Sequence, residues 1–220
     1  MTVPSIPPGP RGFVESDGEQ IYFESWGADG DAVVLSHGMG GNHAIWYQQV
    51  PALATEFRVV TWDQRGFGRS TNLTGNPGPV SSAADLAAIL DHLEIDMAHQ
   101  VAQSMGGWAA VGFALDHPER VLSLVLADTV GGLFTPEVRQ QLADYGELIA
   151  SSPPPSQLPL GSHPAVGEQL AGEDLAKAFL YSQIGAMASP PPPALIAGML
   201  VATEYSDRVA ELTAPTLFVV

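Results

Sequence analysis

Short β-rich runs alternate with helical patterns through about the first 130 residues, and this alternation constrains the fold more than any other feature. Four runs are strand candidates; they lie at 32–36, 57–62, 98–103 and 121–128, and the first two are continuously apolar. Apolar residues recur with helical spacing at Ser82–Leu93, where Ser82 and Asp85 suggest a capping box, and again at Gly106–Asp116. Strands that alternate with helices build βαβ units. The sequence therefore predicts an α/β fold with a mostly parallel, doubly wound sheet.

The flanking segments set the domain boundaries. The runs GFVES and QIYFESW on either side of the turn DGE predict an antiparallel entry hairpin, and a helix is expected around Ala44–Ala54. After Gly131 no strand signal occurs until APTLFVV, and proline-rich connectors separate short helical patterns. We predict a core at 1–130, a helical cap insertion at 131–213 and a return strand of the core at 214–220.

Composition excludes several classes of partner. The formal charge of −16 disfavours nucleic acid, because a polyanion would be repelled. The absence of cysteine excludes disulfides and thiolate metal sites. Prolines interrupt the N-terminus where a signal peptide would need apolar residues, and the run ALIAGMLVA is too short to span a bilayer. We therefore expect a cytoplasmic protein that binds a small molecule and neither nucleic acid nor membrane.

Ser104 is the candidate nucleophile. The order strand, Gln103-Ser104-Met105-Gly106, helix is typical of a nucleophile elbow, in which a sharp turn exposes the serine oxygen above the sheet. Small neighbours are needed at such a turn, and Gly106 meets this requirement on the downstream side. Upstream, Ala102 stands where glycine is usual, and we expect the turn to tolerate its methyl group.

The glycine-rich segment SHGMGG follows the strand expected to lie beside the elbow strand. The backbone N–H groups of Met39 and Met105 could together form an oxyanion hole, with Gly38 giving the loop its freedom. His37 is expected to be a structural hydrogen-bonding residue. A phosphate loop would need a following lysine and a dinucleotide loop a glycine at His43, so we predict no cofactor and no metal. In the later segment DQRGFGRS, Asp63 and Arg65 are expected to pair.

These motifs, in the order HGMGG…W, DQRGFGRS, AQSMGG and HPERVLSLVLAD, resemble those of the α/β-hydrolase superfamily, in particular small bacterial serine hydrolases with a helical cap. The resemblance covers nearly the whole chain. It implies a nucleophile at Ser104 after the fifth strand, oxyanion donors at Met39 and Met105, and a helical lid after the sixth strand. A serine at this position argues against haloalkane dehalogenases and epoxide hydrolases, which carry an aspartate there.

The proton acceptor for Ser104 is not evident. In this fold the chain order is serine, acid, histidine, and the family's histidine usually follows the eighth strand, whereas these residues reach only the expected seventh. The chain therefore resembles a form truncated at that strand. Asp128 is an alternative acid, and His163 is a poor candidate base because its connector is rich in proline. We expect the 220 residues alone to have little or no activity.

Two classes of function follow. The first is a serine hydrolase that cleaves an ester or related acyl bond of a small, largely apolar substrate; hydrolysis of a C–C bond or cofactor-free perhydrolysis could use the same groups. The second is a non-catalytic protein of the same fold that binds a ligand or partner. In either case the apolar run TLFVV would leave an unpaired sheet edge through which chains could self-associate.

Overall fold

A seven-stranded sheet forms the centre of the molecule, in the order β1-β2-β4-β3-β5-β6-β7. A computed structural model of the chain describes residues 5–27, 30–76, 78–151, 153, 159, 168–187 and 193–220. The strands are β1 (Pro8–Ser16), β2 (Glu19–Trp26), β3 (Ala32–Ser36), β4 (Arg58–Trp62), β5 (Ala98–Gln103), β6 (Val121–Ala127) and β7 (Thr216–Val219).

The pairing of these strands confirms the predicted architecture. β1 pairs antiparallel with β2, and β2 pairs antiparallel with β4, as an entry hairpin requires. All other neighbours in the sheet are parallel. β3 lies inside the sheet and all five of its residues are buried, which explains why this strand is continuously apolar rather than alternating.

Seven α-helices accompany the sheet among the described residues. They are α1 (Gln49–Leu53), α2 (Ser82–His92), α3 (Gly106–Asp116), α4 (Pro136–Ser151), α5 (Glu168–Glu173), α6 (Leu175–Ala186) and α7 (Pro193–Ala202). The helix expected around Ala44–Ala54 is instead a 3-10 turn at His43–Trp46 followed by the short α1. Pro51 has no N–H to donate to the preceding turn, so a continuous helix would lack a hydrogen bond there.

Two predicted side-chain pairings are wrong for one shared reason. Asp85 does not form a capping box with Ser82, and Arg65 does not pair with Asp63. Instead, Arg65 Nη2 and Nε donate to the two carboxylate oxygens of Asp85, at 2.6 and 3.1 Å, and both side chains are fully buried. The Ser82 hydroxyl donates to the carbonyl of Gly78 at 2.6 Å. Because Arg65 and Asp85 pair with each other over 20 residues, neither side chain pairs with the neighbour that the sequence suggested.

The described residues between β6 and β7 are helical, with no strand among them. They contact the core at Trp108 of α3, whose indole N–H donates to the carbonyls of Leu200 and Thr203, at 3.1 and 2.8 Å. The boundaries of a cap at 131–213 and a return strand at 214–220 remain a prediction. Of the helices that the structure describes, none is sufficiently long and apolar to cross a membrane.

β7 is the outer strand of the described sheet. It pairs with β6 on one side only, and Leu217, Phe218 and Val219 are each about half exposed. An exposed apolar edge of this kind can template pairing with another chain. Self-association through β7 remains a prediction.

Candidate active site

The turn between β5 and α3 holds Ser104 in a strained backbone conformation. Its φ is +50°, in the left-handed region that residues with a Cβ rarely adopt. The turn is fixed on both sides of the serine: the Ser104 N–H donates to the carbonyl of Ala127 at 3.0 Å, and the Ser104 carbonyl accepts from the N–H of Gly107 at 2.9 Å. The side chain remains partly exposed above the carboxyl end of the sheet. The sharp turn forms although Ala102 replaces the usual glycine.

Two glycines allow other backbone segments to approach this turn. A Cβ on Gly106 would lie 2.2 Å from the carbonyl oxygen of Ser36, at the end of β3. A Cβ on Gly38 would lie 2.3 Å from the side-chain oxygen of Gln103 and 3.0 Å from the Cβ of Ser104. The loop after β3 therefore packs directly against the elbow. At Gly106 the obstacle is backbone and excludes any side chain, whereas at Gly38 the Gln103 side chain would have to move.

The close contact at Gly106 gives a direct test of the elbow. We expect Gly106→Ala to lower the free energy of unfolding by about 1–3 kcal/mol, because the Ser36 carbonyl belongs to the sheet and cannot move aside. Any Ser104-dependent turnover should fall about 100-fold as the turn shifts. Gly146→Ala is the matched control: Gly146 lies in α4 with no atom near its missing Cβ, and alanine there should stabilise by about 0.5–1 kcal/mol. Equal effects at the two sites would contradict this view of the elbow.

The two predicted oxyanion donors lie where the loop after β3 packs against the turn at Ser104. Met105 follows Ser104 and precedes the first residue of α3, and Met39 follows Gly38 in the loop. Within the described part of the chain, neither backbone N–H donates to a protein acceptor. Both donors are thus available for a ligand oxygen, and α3 presents the positive end of its dipole at the same place. Their role stays a prediction.

His37 makes hydrogen bonds through both ring nitrogens and is fully buried. Its Nε2 accepts from the backbone N–H of Gln64 at 3.0 Å, so the proton must lie on Nδ1, which donates to the carbonyl of Gly38 at 2.8 Å. Burial lowers the pKa of His37 and keeps the ring neutral. The buried ring therefore links the Gly38 carbonyl to the backbone of Gln64 through hydrogen bonds.

Asp63 pairs with His43, a contact that sequence reasoning missed. The Asp63 carboxylate accepts from the backbone N–H of His43 at 2.6 Å, from His43 Nδ1 at 2.8 Å and from the N–H of Arg69 at 2.8 Å. Burial opposes ionisation of Asp63, but the hydrogen bond and charge of His43 outweigh it and lower the pKa of the carboxyl group. The motif DQRGFGRS is thus tied to the segment that follows the glycine-rich loop.

Asp128 lies beside the elbow but is exposed. The pairing of Gln103 with Ala127 puts Asp128 at the position next to Ser104 on the neighbouring strand end. Its φ is +46°, and its N–H donates to the carbonyl of Val219 at 2.9 Å. Its use as a catalytic acid remains a prediction.

None of the five described histidines is a partner for Ser104. His37 and His43 are held as described above. His99 is the second residue of β5, about 16 Å along the strand from the elbow, and bonds the hydroxyl of Ser123 at 2.8 Å. The other two are His92, the last residue of α2, and His117, which follows α3; their rings contact phenylalanines. His163 lies outside the described residues.

An apolar cluster lies on one side of the elbow. Phe67 and Met105 are buried against each other, and Leu200 of α7 packs on them from the cap side. Trp108, near the start of α3, lies with its ring centroid 6.1 Å from that of Phe134.

Comparison with known proteins agrees with this geometry. A family model described as the alpha/beta hydrolase fold matches residues 31–159. A protein of Rhizobium rhizogenes, named provisionally as the carbamate hydrolase RutD, is 30% identical over 221 residues, which cover 90% of this chain and 78% of that protein. Its counterpart from Caulobacter sp. strain K31 is 38% identical over 112 residues, which cover 49% of this chain and 42% of that protein.

A solved structure shows the same arrangement over nearly the whole chain. A thermophilic esterase from Thermogutta terrifontis superposes with a TM-score of 0.69 at 26% identity, covering 96% of this chain and 79% of that one. The match to several curated relatives spans only about two-fifths of their length.

Proposed function

The chain belongs to the α/β-hydrolase family, and on that premise we propose that it is a serine hydrolase in which Ser104 attacks an ester or a related acyl bond. The observation that carries the proposal is the strained turn at Ser104, with a φ of +50°, next to two backbone N–H groups that have no protein acceptor among the described residues. A serine that only capped a helix would need neither the strain nor a second donor from another loop.

In the proposed reaction the Ser104 oxygen bonds to the substrate carbonyl carbon, and the carbonyl oxygen takes the negative charge. The Met39 and Met105 N–H groups donate to that oxygen; one such donor is worth about 10²–10³ in turnover. The serine proton passes to a base outside the described residues and then to the leaving alcohol or amine as its bond to carbon breaks. Water then attacks the acyl carbon and gives a proton to the same base. The base passes that proton to the Ser104 oxygen as its bond to the acyl carbon breaks.

Phe67 and Met105 are almost fully buried beside the elbow and pack against Leu200, and this apolar surrounding supports a small substrate without charge near the reacting carbonyl. The names of the relatives point to esters and to carbamates, in which the carbonyl carries a nitrogen as well as an oxygen. Both bonds are cleaved by the same attack at carbon, so we propose this pair as the substrate class.

Acyl transfer to the chain is the test of this proposal. The whole protein, mixed with p-nitrophenyl butyrate and quenched in acid, should release p-nitrophenolate in a burst and carry a butyryl group on the peptide that contains Ser104. A p-nitrophenyl carbamate should leave its carbamoyl group on the same peptide for longer. Substrate binding without any acyl group on the peptide would instead identify a protein that binds and does not cleave.

For the 220 residues alone we expect p-nitrophenyl butyrate turnover within about tenfold of the Ser104→Ala variant of the same chain. Losing the base of a triad costs about 10⁴–10⁶ in turnover, and the residual rate comes from binding and the oxyanion donors, which the Ser104→Ala variant shares. Initial rates of p-nitrophenolate release measure the difference. Strong Ser104-dependent turnover would show that a side chain within these residues accepts the proton, and His163→Ala would be the next variant to make.

A further inference from the structure

The loop that carries Met39 is enclosed between the elbow and the cap. On one side, Gly38 packs against Gln103 and Ser104, as described above. On the other side, the last turn of α6 approaches the loop, and a Cβ on Gly185 would lie 3.7 Å from the carbonyl oxygen of Gly40. The position of the Met39 N–H therefore depends on both neighbours.

Asn42, at the end of this loop, makes a hydrogen bond to each side. Its side-chain oxygen accepts from the N–H of Ala44 at 2.9 Å and so caps the 3-10 turn that follows the loop. Its side-chain NH₂ donates to the carbonyl of Ile184 in α6 at 3.0 Å. Only 6% of Asn42 is exposed, so water cannot easily replace either partner. The oxygen and the NH₂ group of the Asn42 side chain thus connect the end of the loop to α6.

A second hydrogen bond between the same elements lies away from the loop. The Tyr47 hydroxyl, after the 3-10 turn, donates to the carbonyl of Lys177 at 3.1 Å, about two turns of α6 from Ile184. This bond also holds α6 to the core, but within the described chain the Tyr47 hydroxyl makes no hydrogen bond to residues 38–41. It therefore offers a matched comparison with Asn42.

We propose that Asn42 is a positioning residue that couples docking of the cap helix α6 to the placement of the Met39 oxyanion donor. This inference rests on the proposed function. With α6 docked, the Ile184 carbonyl fixes the Asn42 side chain, and Asn42 fixes the end of the loop whose other end is held by Gly38 against Ser104. With α6 displaced, the loop loses one of its two supports and the donor is no longer preorganised for the oxyanion.

Asn42→Asp separates the two hydrogen bonds. An aspartate keeps the oxygen that caps Ala44, but it has no N–H for Ile184 and turns a negative charge toward that carbonyl. In the whole protein we expect kcat for p-nitrophenyl butyrate to fall about 10–100-fold with KM changed less than about threefold, because the lost support acts on the oxyanion and not on the ground state. Tyr47→Phe removes the remote bond and should leave kcat within about threefold.

Hydrogen exchange of backbone amides gives a readout that does not require activity. In Asn42→Asp, the amides of residues 38–41 and of the last turn of α6 should both exchange faster. In Tyr47→Phe, only α6 should do so. Unchanged kcat in Asn42→Asp, equal losses in the two variants, or unchanged exchange at 38–41 would each overturn the coupling. An inactive wild-type protein that nevertheless shows the exchange pattern would refute the proposed hydrolase function and leave the link between cap and loop in place.

Discussion

Ser104→Ala is expected to reduce turnover of p-nitrophenyl butyrate by the whole protein about 10⁴–10⁶-fold, and to abolish covalent labelling by a fluorophosphonate. Both effects follow from removal of the only atom that we propose bonds to the substrate carbon. The folded state should not suffer, because alanine at Ser104 keeps the backbone bonds to Ala127 and Gly107 and the side chain is partly exposed. Initial rates and gel fluorescence of the labelled protein measure the two effects.

Ser151→Ala is the matched control for this experiment. Ser151 is an exposed serine at the end of α4, and among the described residues its hydroxyl donates to the nearby carbonyl of Leu148 at 2.9 Å. Its replacement should change neither turnover nor labelling. Labelling that survives in Ser104→Ala would contradict the assignment of the nucleophile, whereas labelling without turnover in the wild type would place the fault in the later steps of the reaction.

The sheet and the elbow could be predicted because their signals are local. The central strand β3 is a nearly continuous apolar run, and the turn at Ser104 is bounded by a strand on one side and by Gly106 on the other. The steric demand that makes Gly106 necessary comes from Ser36, but the glycine itself is visible in the sequence. The strand pattern, the glycine at the turn and the packing around it all indicate the same structure, and a prediction is dependable when these independent signals agree.

Pairings between distant side chains could not be predicted, since several partners are compatible with the same sequence. Asp63 was expected to pair with Arg65, two residues away. Instead Asp63, which directly follows β4, bonds His43, and Arg65 bonds Asp85 on α2. Asn42 has a local signal as a helix cap, but its second partner, Ile184, lies 142 residues away. Only the docking of separate elements decides such contacts, and sequence spacing does not encode it.

Asp85→Ala is expected to lower the free energy of unfolding by about 3–5 kcal/mol, the typical effect of removing one partner of a buried ion pair. Arg65 and Asp85 are both fully inaccessible to solvent. Without the Asp85 carboxylate, the guanidinium would keep the Ser16 carbonyl, at 3.1 Å, as a hydrogen-bond acceptor, and a long ion pair with the exposed Asp17, at 4.0 Å. Urea denaturation followed by circular dichroism measures the change.

Two further variants show whether the effect comes from the buried charge. Asp91→Ala breaks the ion pair with Arg120, whose Nη1 lies 2.7 Å from the Asp91 carboxylate, but Asp91 is 67% exposed and the loss should stay below about 1 kcal/mol. Combining Asp85→Ala with Arg65→Met removes the stranded charge and should recover most of the stability. If the double variant is no more stable than Asp85→Ala, the loss comes from the volume left empty beside α2 rather than from an unpaired guanidinium.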